Sequence, residues 1–369
     1  MSAVTFCAKC LMPSSRPRMI IGEDGVCPAC KWAAAKKNID WTERGAQFKQ
    51  LLAQHAGKGP YDCIVPFSGG KDSAVIAWRL KHEYGLRPLL VCYGQLLWTD
   101  VGRYNFHQVA NAGFDIVYWR TDQAVSRKLA RRFLIERGHP KVHYDAAINA
   151  VPVREAVEKG IPLVIYAEHG ETEYGGRVLS EESQRTRDLT EILENHVGDD
   201  ARNWATDGIS ERELHPYIYP DLDDIHRVGV KAFYFSYFHK WSVYENALIA
   251  KEKLGFRWVE PRTDGSFESW DSIDDCIDGA DFWLMHLKFL FGRATRMASR
   301  MIQNGHMTRE EGLRLVREYD GEFPEMYLPE VLEYVGMTRA EFIALADKHR
   351  NPELWTKENG GWRPRYVVA

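Results

Sequence analysis

No apolar run in this 369-residue chain approaches the roughly 18 residues of a membrane span. Basic charge is not massed: the 48 Lys and Arg residues are scattered and the formal net charge is −4. That weighs against a nucleic-acid partner, whose footprint would be a basic face. There is no internal repeat, low-complexity tract or heptad pattern. The stretch "MSAVTFCAKC" reaches a cysteine pair before a signal-like apolar region could fit, which leads to the expectation of a cytoplasmic protein. What is present is 45% hydrophobic and 27% charged, with twelve Trp, an ordinary folded composition with length enough for two or three structural units.

Cysteine is sparse, and its spacing is informative. Four of the seven form "CAKC" (Cys7, Cys10) and "CPAC" (Cys27, Cys30), separated by sixteen residues; Cys63, Cys92 and Cys276 stand alone. In a reducing compartment, paired C-x-x-C units point to metal ligation rather than disulfides. Each short gap lets a tight turn aim two thiolates at one tetrahedral ion, and four thiolates describe a closed structural Zn2+ site. Residues 1–35 are thus expected to form a small zinc-binding unit whose folding energy comes mostly from the metal.

From about residue 60, short apolar runs alternate with helix-length segments. The runs 62–67, 88–93, 114–119, 161–167 and 231–238 read as strands, and 73–84, 101–112, 122–137 and 145–159 as helices. Near-continuous apolar strands separated by helices predict an α/β fold: a parallel sheet with helices on both faces, over 58–262. Segments 273–291, 293–304, 308–319 and 339–349 predict a mostly helical region over 263–369, with Thr308 and Glu311 placed as a capping pair. The polar stretch 176–215 is expected to form helices or loops of unassigned role. His139 and His143 lack the glutamate of an H-E-x-x-H site and read as ordinary polar residues.

"SGGKDS" (68–73) follows the first strand and opens a helix. Gly69 and Gly70 let the backbone approach an anion, the helix N-terminus adds partial positive charge, and Lys71 adds a full one. Ser68 and Ser73 can donate hydrogen bonds, and Asp72 can hold a cation or position the loop. The first glycine of a Walker A loop is absent at that spacing.

S-G-G-x-D-S after the first strand resembles the PP-loop ATP pyrophosphatases. The resemblance implies that the loop holds the leaving pyrophosphate of ATP, with Mg2+, so that the α–β bond is cleaved and the substrate becomes an adenylate. A closer resemblance runs through "CAKCLMPSSRP", "GEDGVCPAC", "SGGKDS", "HGETEYGG" (169–176), "SFESWDSIDDCIDG" (266–279), "FGRATRMASRMIQNGHMTREEG" (291–312) and "REYDGEFPE" (317–325). In that order these motifs are similar to the N-acetyl sugar amidotransferase family of bacterial surface-polysaccharide biosynthesis. The resemblance implies an acetamido group on a nucleotide-linked or related sugar, adenylated and converted to an acetamidino group. Lys71, Asp72, Glu171 and Glu173 are the expected catalytic residues: either glutamate could bind Mg2+ or take a proton from ammonia. Tyr174, Gly175, Gly176, Arg293 and Arg296 are expected at the substrate, the arginines gripping phosphate or a sugar carboxylate. Their plainer readings are a charged surface turn for 169–176 and a solvated helix face for the arginines.

Two other readings stay open: a PP-loop tRNA thiolation enzyme, which also combines C-x-x-C units with this loop, and a nucleotide-binding module without activity. A built-in glutaminase would need a nucleophilic cysteine, and Cys92 in "LVCYG" has only half of such an elbow. A separate glutaminase subunit supplying ammonia is therefore the expected partner, as the resemblance also implies.

Overall fold

The computed structural model describes residues 3–176, 178, 180–187, 198–206 and 208–368. Five strands, β1 Cys63–Pro66, β2 Pro88–Tyr93, β3 Asp115–Trp119, β4 Leu163–Tyr166 and β5 Lys231–Tyr234, pair in parallel in the order β3-β2-β1-β4-β5. The period of two along each strand builds two cores. Ile64, Leu89, Val91 and Val164 face one side, with Phe133, Val151 and Trp204 from the elements covering it. Val65, Leu90, Leu163 and Ile165 face the other, with Phe48, Ile76, Leu80 and Trp241. Both faces are covered, which is why the inner strands carry almost no polar residue.

Cys63 and Cys92 lie in the second core, where burial pushes both thiols well above their ordinary range. Strand β3 departs from the expected buried strand: it is an edge, and Asp115 and Tyr118 are exposed. Strand β5 is shorter than 231–238. It stops at Tyr234 and turns helical over Phe235–Phe238, because the Ser236 N–H donates to the Ala167 carbonyl (3.0 Å) and its Oγ accepts from the His169 N–H (3.2 Å).

The C-terminal region holds helices Asp278–Phe289, Arg293–Gln303, Arg309–Tyr319, Leu328–Val335 and Arg339–His349, then a hairpin, β6 Trp355–Glu358 with β7 Gly361–Pro364. Thr308 and Glu311 form the expected capping box. The helix expected from 273 begins at Asp278. The Asp275 carboxylate accepts from Leu96, Leu97 and Ile277 N–H groups (3.2, 3.2 and 3.1 Å), which ties down the preceding stretch as irregular backbone. Leu284, Phe342 and Trp355 pack into the same core as Ile64 and Val164, so sheet and C-terminal helices share an interior. Of 176–215, the described residues form helix Glu181–Arg185 and short 3-10 turns at Ala201–Trp204 and His215–Tyr217; the rest of that expectation lies outside them.

His139 and His143 are not ordinary polar residues. His143 is buried against Ser126 (3.0 Å), and burial pushes its ring down to about 3. His139 joins the two regions, with Nδ1 2.6 Å from Asp281 and Nε2 3.0 Å from Asp145. Burial alone would lower its pKa, but the two carboxylates outweigh it and push the ring up to about 10. The folded chain thus holds an imidazolium that the unfolded chain, titrating near 6.5, gives up. The stabilisation is complete below pH 6.5 and fades as pH rises toward about 10. His139→Gln is expected to flatten the fall in unfolding temperature across that window, measured by thermal melts at stepped pH.

Candidate functional site

The sequence of strands reverses direction between β1 and β4, the switch point at which open parallel sheets bind ligands at their C-terminal ends. The loop after β1 carries 68–73, and the segment after β4 carries 167–176. Gly69 has φ +91, and a Cβ there would lie 2.5 Å from the Trp98 ring, so both conformation and space require glycine. Helix Lys71–His82 starts at Gly70 with no side-chain cap, leaving its first N–H groups available to an anion. A Cβ on Gly70 would meet Asp274 Oδ2 at 3.0 Å.

Lys71 is buried, with Nζ 2.6 Å from Asp271 Oδ1 and 3.0 Å from Asp72 Oδ2. Burial would lower its pKa, yet the two carboxylates hold it above the usual lysine range. Two of its three N–H donors are committed, and one remains for a phosphate oxygen. Asp72 also accepts from Asn246 Nδ2 (2.8 Å), and the Gln95 amide donates to the Ser68 carbonyl (2.8 Å), so the loop is braced on both flanks.

Two cavities meet at this loop, sharing Ser68, Asp72, Ile148 and Glu168. One, of about 380 Å³, lies over the ends of β1, β2 and β4 and is lined by Ser73, Tyr93 and Tyr166. The other, of about 230 Å³, is lined by Lys71, Tyr174, Trp270, Asp271, Asp274, Asp278 and Arg296. A wider open cleft of about 760 Å³ lies elsewhere, among Arg154, Glu158, Arg202 and His215; it has no glycine-rich loop and its charges alternate in sign.

The carboxyls around the loop differ sharply. Burial would raise Asp271, but Arg296 (Nη1 3.1 Å from Oδ2) and Lys71 hold it far below the ordinary range. Burial pushes Asp274 up to about 7, with Asp278 and Asp271 adding to the shift against Lys71 and Lys141. Asp278 is pushed up to about 6 by burial, against the pull of Lys141. Burial and the Asp72 charge also raise Glu168, whose Oε1 accepts from the Tyr174 hydroxyl (3.0 Å).

Of the expected residues, Ser68, Gly70, Lys71, Asp72, Ser73, Tyr174 and Arg296 line these cavities, and Gly69 sits behind them under Trp98. The remaining five point elsewhere. Glu173 is buried and its two oxygens accept from Trp32 Nε1 (2.8 Å) and Lys36 Nζ (3.0 Å) of the N-terminal unit. Glu171 pairs with Arg18 (2.6 Å). Gly175, at φ +84, makes its close approach to Met19 and Ala29, and Gly176 to the Glu171 carboxylate, not to a ligand cavity. Arg293 is buried rather than solvated; it donates to the Thr263 hydroxyl and to the Asp271 and Ser272 carbonyls, bracing the wall from behind. Sequence reasoning missed Glu168, Asp271, Asp274 and Asp278. The signal for the three aspartates was the run of carboxylates in "DSIDDCIDG", quoted as a motif but given no roles; Glu168 stands one residue before "HGETEYGG".

The four expected zinc ligands do converge: their sulfurs lie within 4.8 Å of one another, with Cys7–Cys30 at 3.8 Å and Cys10–Cys27 at 3.6 Å. About 3.8 Å is the edge of a tetrahedron with arms of about 2.3 Å, so the set fits Zn2+. The Cys27 and Lys9 N–H groups donate to Cys7 Sγ (3.2 and 3.4 Å), stabilising a thiolate.

Residues 264–367 match a family model described as LPS biosynthesis protein WbpG-like, C-terminal domain. The matched stretch spans Asp271, Asp274, Asp278 and Arg296, the wall facing the loop. No curated protein matches the chain. No helix among the described residues is long and apolar enough to cross a membrane.

Gly69→Ala is expected to weaken anion binding at the loop, read with inorganic pyrophosphate by calorimetry, at least tenfold, because strain at φ +91 and collision with Trp98 both displace the loop. Gly85→Ala, also at positive φ but with open space around it, should leave binding unchanged.

Proposed function

We propose that the protein is an ATP-dependent amidotransferase of surface-glycan biosynthesis, which adenylates an acetamido group of a nucleotide-linked sugar and replaces its carbonyl oxygen with nitrogen from ammonia. The observation that carries the reading is the Lys71–Asp271 contact at 2.6 Å. It puts an anion-binding loop and the segment matching a lipopolysaccharide-biosynthesis family into one cleft.

An amide carbon is a poor electrophile. Attack of its oxygen on the α-phosphorus of ATP forms a C–O–P link and breaks the α–β bond, releasing pyrophosphate to the open N–H groups of the loop and Lys71. Ammonia then adds to the imidate carbon, the resulting ammonium loses a proton, and the C–O bond to AMP breaks, leaving the amidine. Asp72, a carboxylate of the loop that faces both cavities, fits Mg2+, an ion usually held by one or two carboxylates plus phosphates. Bound there, Mg2+ would neutralise phosphate charge.

The proton acceptor expected at Glu171 or Glu173 is reassigned. Both are engaged by the N-terminal unit, whereas Asp274 lines the cleft and no described donor hydrogen-bonds its carboxylate. With its pKa near 7, Asp274 is suited to proton transfer at neutral pH.

Ammonia supply by a separate glutaminase subunit is supported by the thiols. Cys63 and Cys92 are buried, the Cys276 thiol is pushed up to about 12 by burial, and the other four cysteines form the metal set. The same inventory weighs against tRNA thiolation, which commonly needs a reactive or cluster-binding cysteine.

Incubation with ATP, Mg2+, ammonium and UDP- or CMP-linked diacetamido sugars is expected to give AMP and an amidine product; ATP consumption only with tRNA and a sulfur donor would overturn the reading. Asp274→Asn is expected to lower kcat by about 10²–10⁴-fold. Because the carboxylate is the active form, the wild-type rate, measured at constant free ammonia, should fall as pH drops below about 7, and this limb should vanish in the variant.

A further inference from the structure

Among its contacts with the rest of the chain, the zinc unit makes two sets that lead to the cleft. On one side, Trp32 and Lys36 hold Glu173, Arg16 Nη1 donates to the Gly175 carbonyl (3.2 Å), and Arg18 pairs with Glu171. These contacts fall on and beside helix Gly170–Tyr174, five residues long and too short to persist unaided. On the other side, the Leu11 N–H donates to Ser299 Oγ (3.3 Å) and Gln303 Nε2 approaches Cys10 Sγ (3.6 Å), both on helix Arg293–Gln303. The short helix presents Tyr174 to the cleft, and the longer one presents Arg296. Arg300, fully buried, stacks its guanidinium 4.1 Å over the Tyr174 ring, and the Tyr174 hydroxyl fixes Glu168.

We propose that the four-cysteine unit is a zinc-dependent clamp on the cleft wall, with Glu173 the positioning residue through which it sets Tyr174 and Glu168. Glu173 acts from the far side of its helix turn: its carboxylate faces the zinc unit while the next residue faces the cleft. The unit bridges two segments far apart in sequence, so it fixes the spacing across which Tyr174 and Arg296 meet a ligand. Only the substrate readout rests on the amidotransferase reading.

The test compares full-length, zinc-loaded wild type with Glu173→Gln by metal analysis and by hydrogen–deuterium exchange. Both proteins are expected to hold zinc at the same ratio, while peptides over 163–176 exchange about tenfold faster in the variant, the effect of one lost charge-assisted hydrogen bond. Peptides over β1 and β2 should be unchanged. The KM for the acetamido sugar should rise by about the same factor with KM for ATP and kcat little altered. Trp32→Phe, which removes one donor and no charge, should give a smaller rise in exchange and covers the case in which Glu173→Gln folds poorly. Wild-type exchange over 163–176 in both variants would overturn the clamp. Faster exchange with no amidotransfer by any protein would leave the clamp standing and count against the activity.

Discussion

The Asp271 carboxylate is the constraint on which the rest of the site depends. Buried between Lys71 and Arg296, it spends one oxygen on each. Taking three charged groups out of water is costly, and such a network is weak evidence of net stability; removing one member, however, strands the others and costs about 3–5 kcal/mol. The network therefore specifies geometry. It holds Lys71 at the helix start with one donor unspent, and it welds the glycine-rich loop to the C-terminal wall. Arg293 adds to this from behind by donating to the Asp271 carbonyl, so backbone and side chain of one residue are both fixed.

Around that fixed charge, neighbouring carboxyls are pushed in opposite directions. Asp271 is held ionised by its two cations, whereas Asp274, three residues on, titrates near 7 because burial outweighs the pull of Lys71 and Lys141. Environments that separate the pKa values of nearby acids separate their roles. One becomes a permanent counter-ion, the other a group able to exchange a proton at neutral pH. The zinc unit stands outside this chemistry and acts on its geometry, through Glu173 on one wall and through the contacts of Leu11 and Gln303 on the other.

Where function is carried by local pattern, the sequence was legible. The two C-x-x-C pairs converge, "SGGKDS" falls between a strand and a helix N-terminus, and the Thr308–Glu311 box forms as spaced. What escaped is non-local. Lys71 and Asp271 are 200 residues apart, and Glu173 meets Lys36 across 137; no periodicity encodes either pairing. "HGETEYGG" looked like a ligand loop because its glycines and acids suit one. The same residue types equally suit close packing against a small domain, which is their use at Gly175, Glu173 and Glu171. β3 read as interior because an edge strand with one covered face is nearly as apolar as a central one; only the strand order separates them.

The central claim is that the loop directs an amide oxygen onto the α-phosphorus of ATP. It is tested most directly by supplying an acetamido sugar labelled with heavy oxygen at the acetamido carbonyl, together with ATP, Mg2+ and ammonium, and weighing the nucleotide product. The account predicts AMP carrying the label and unlabelled pyrophosphate. Unlabelled AMP, or release of ADP and phosphate, would contradict it.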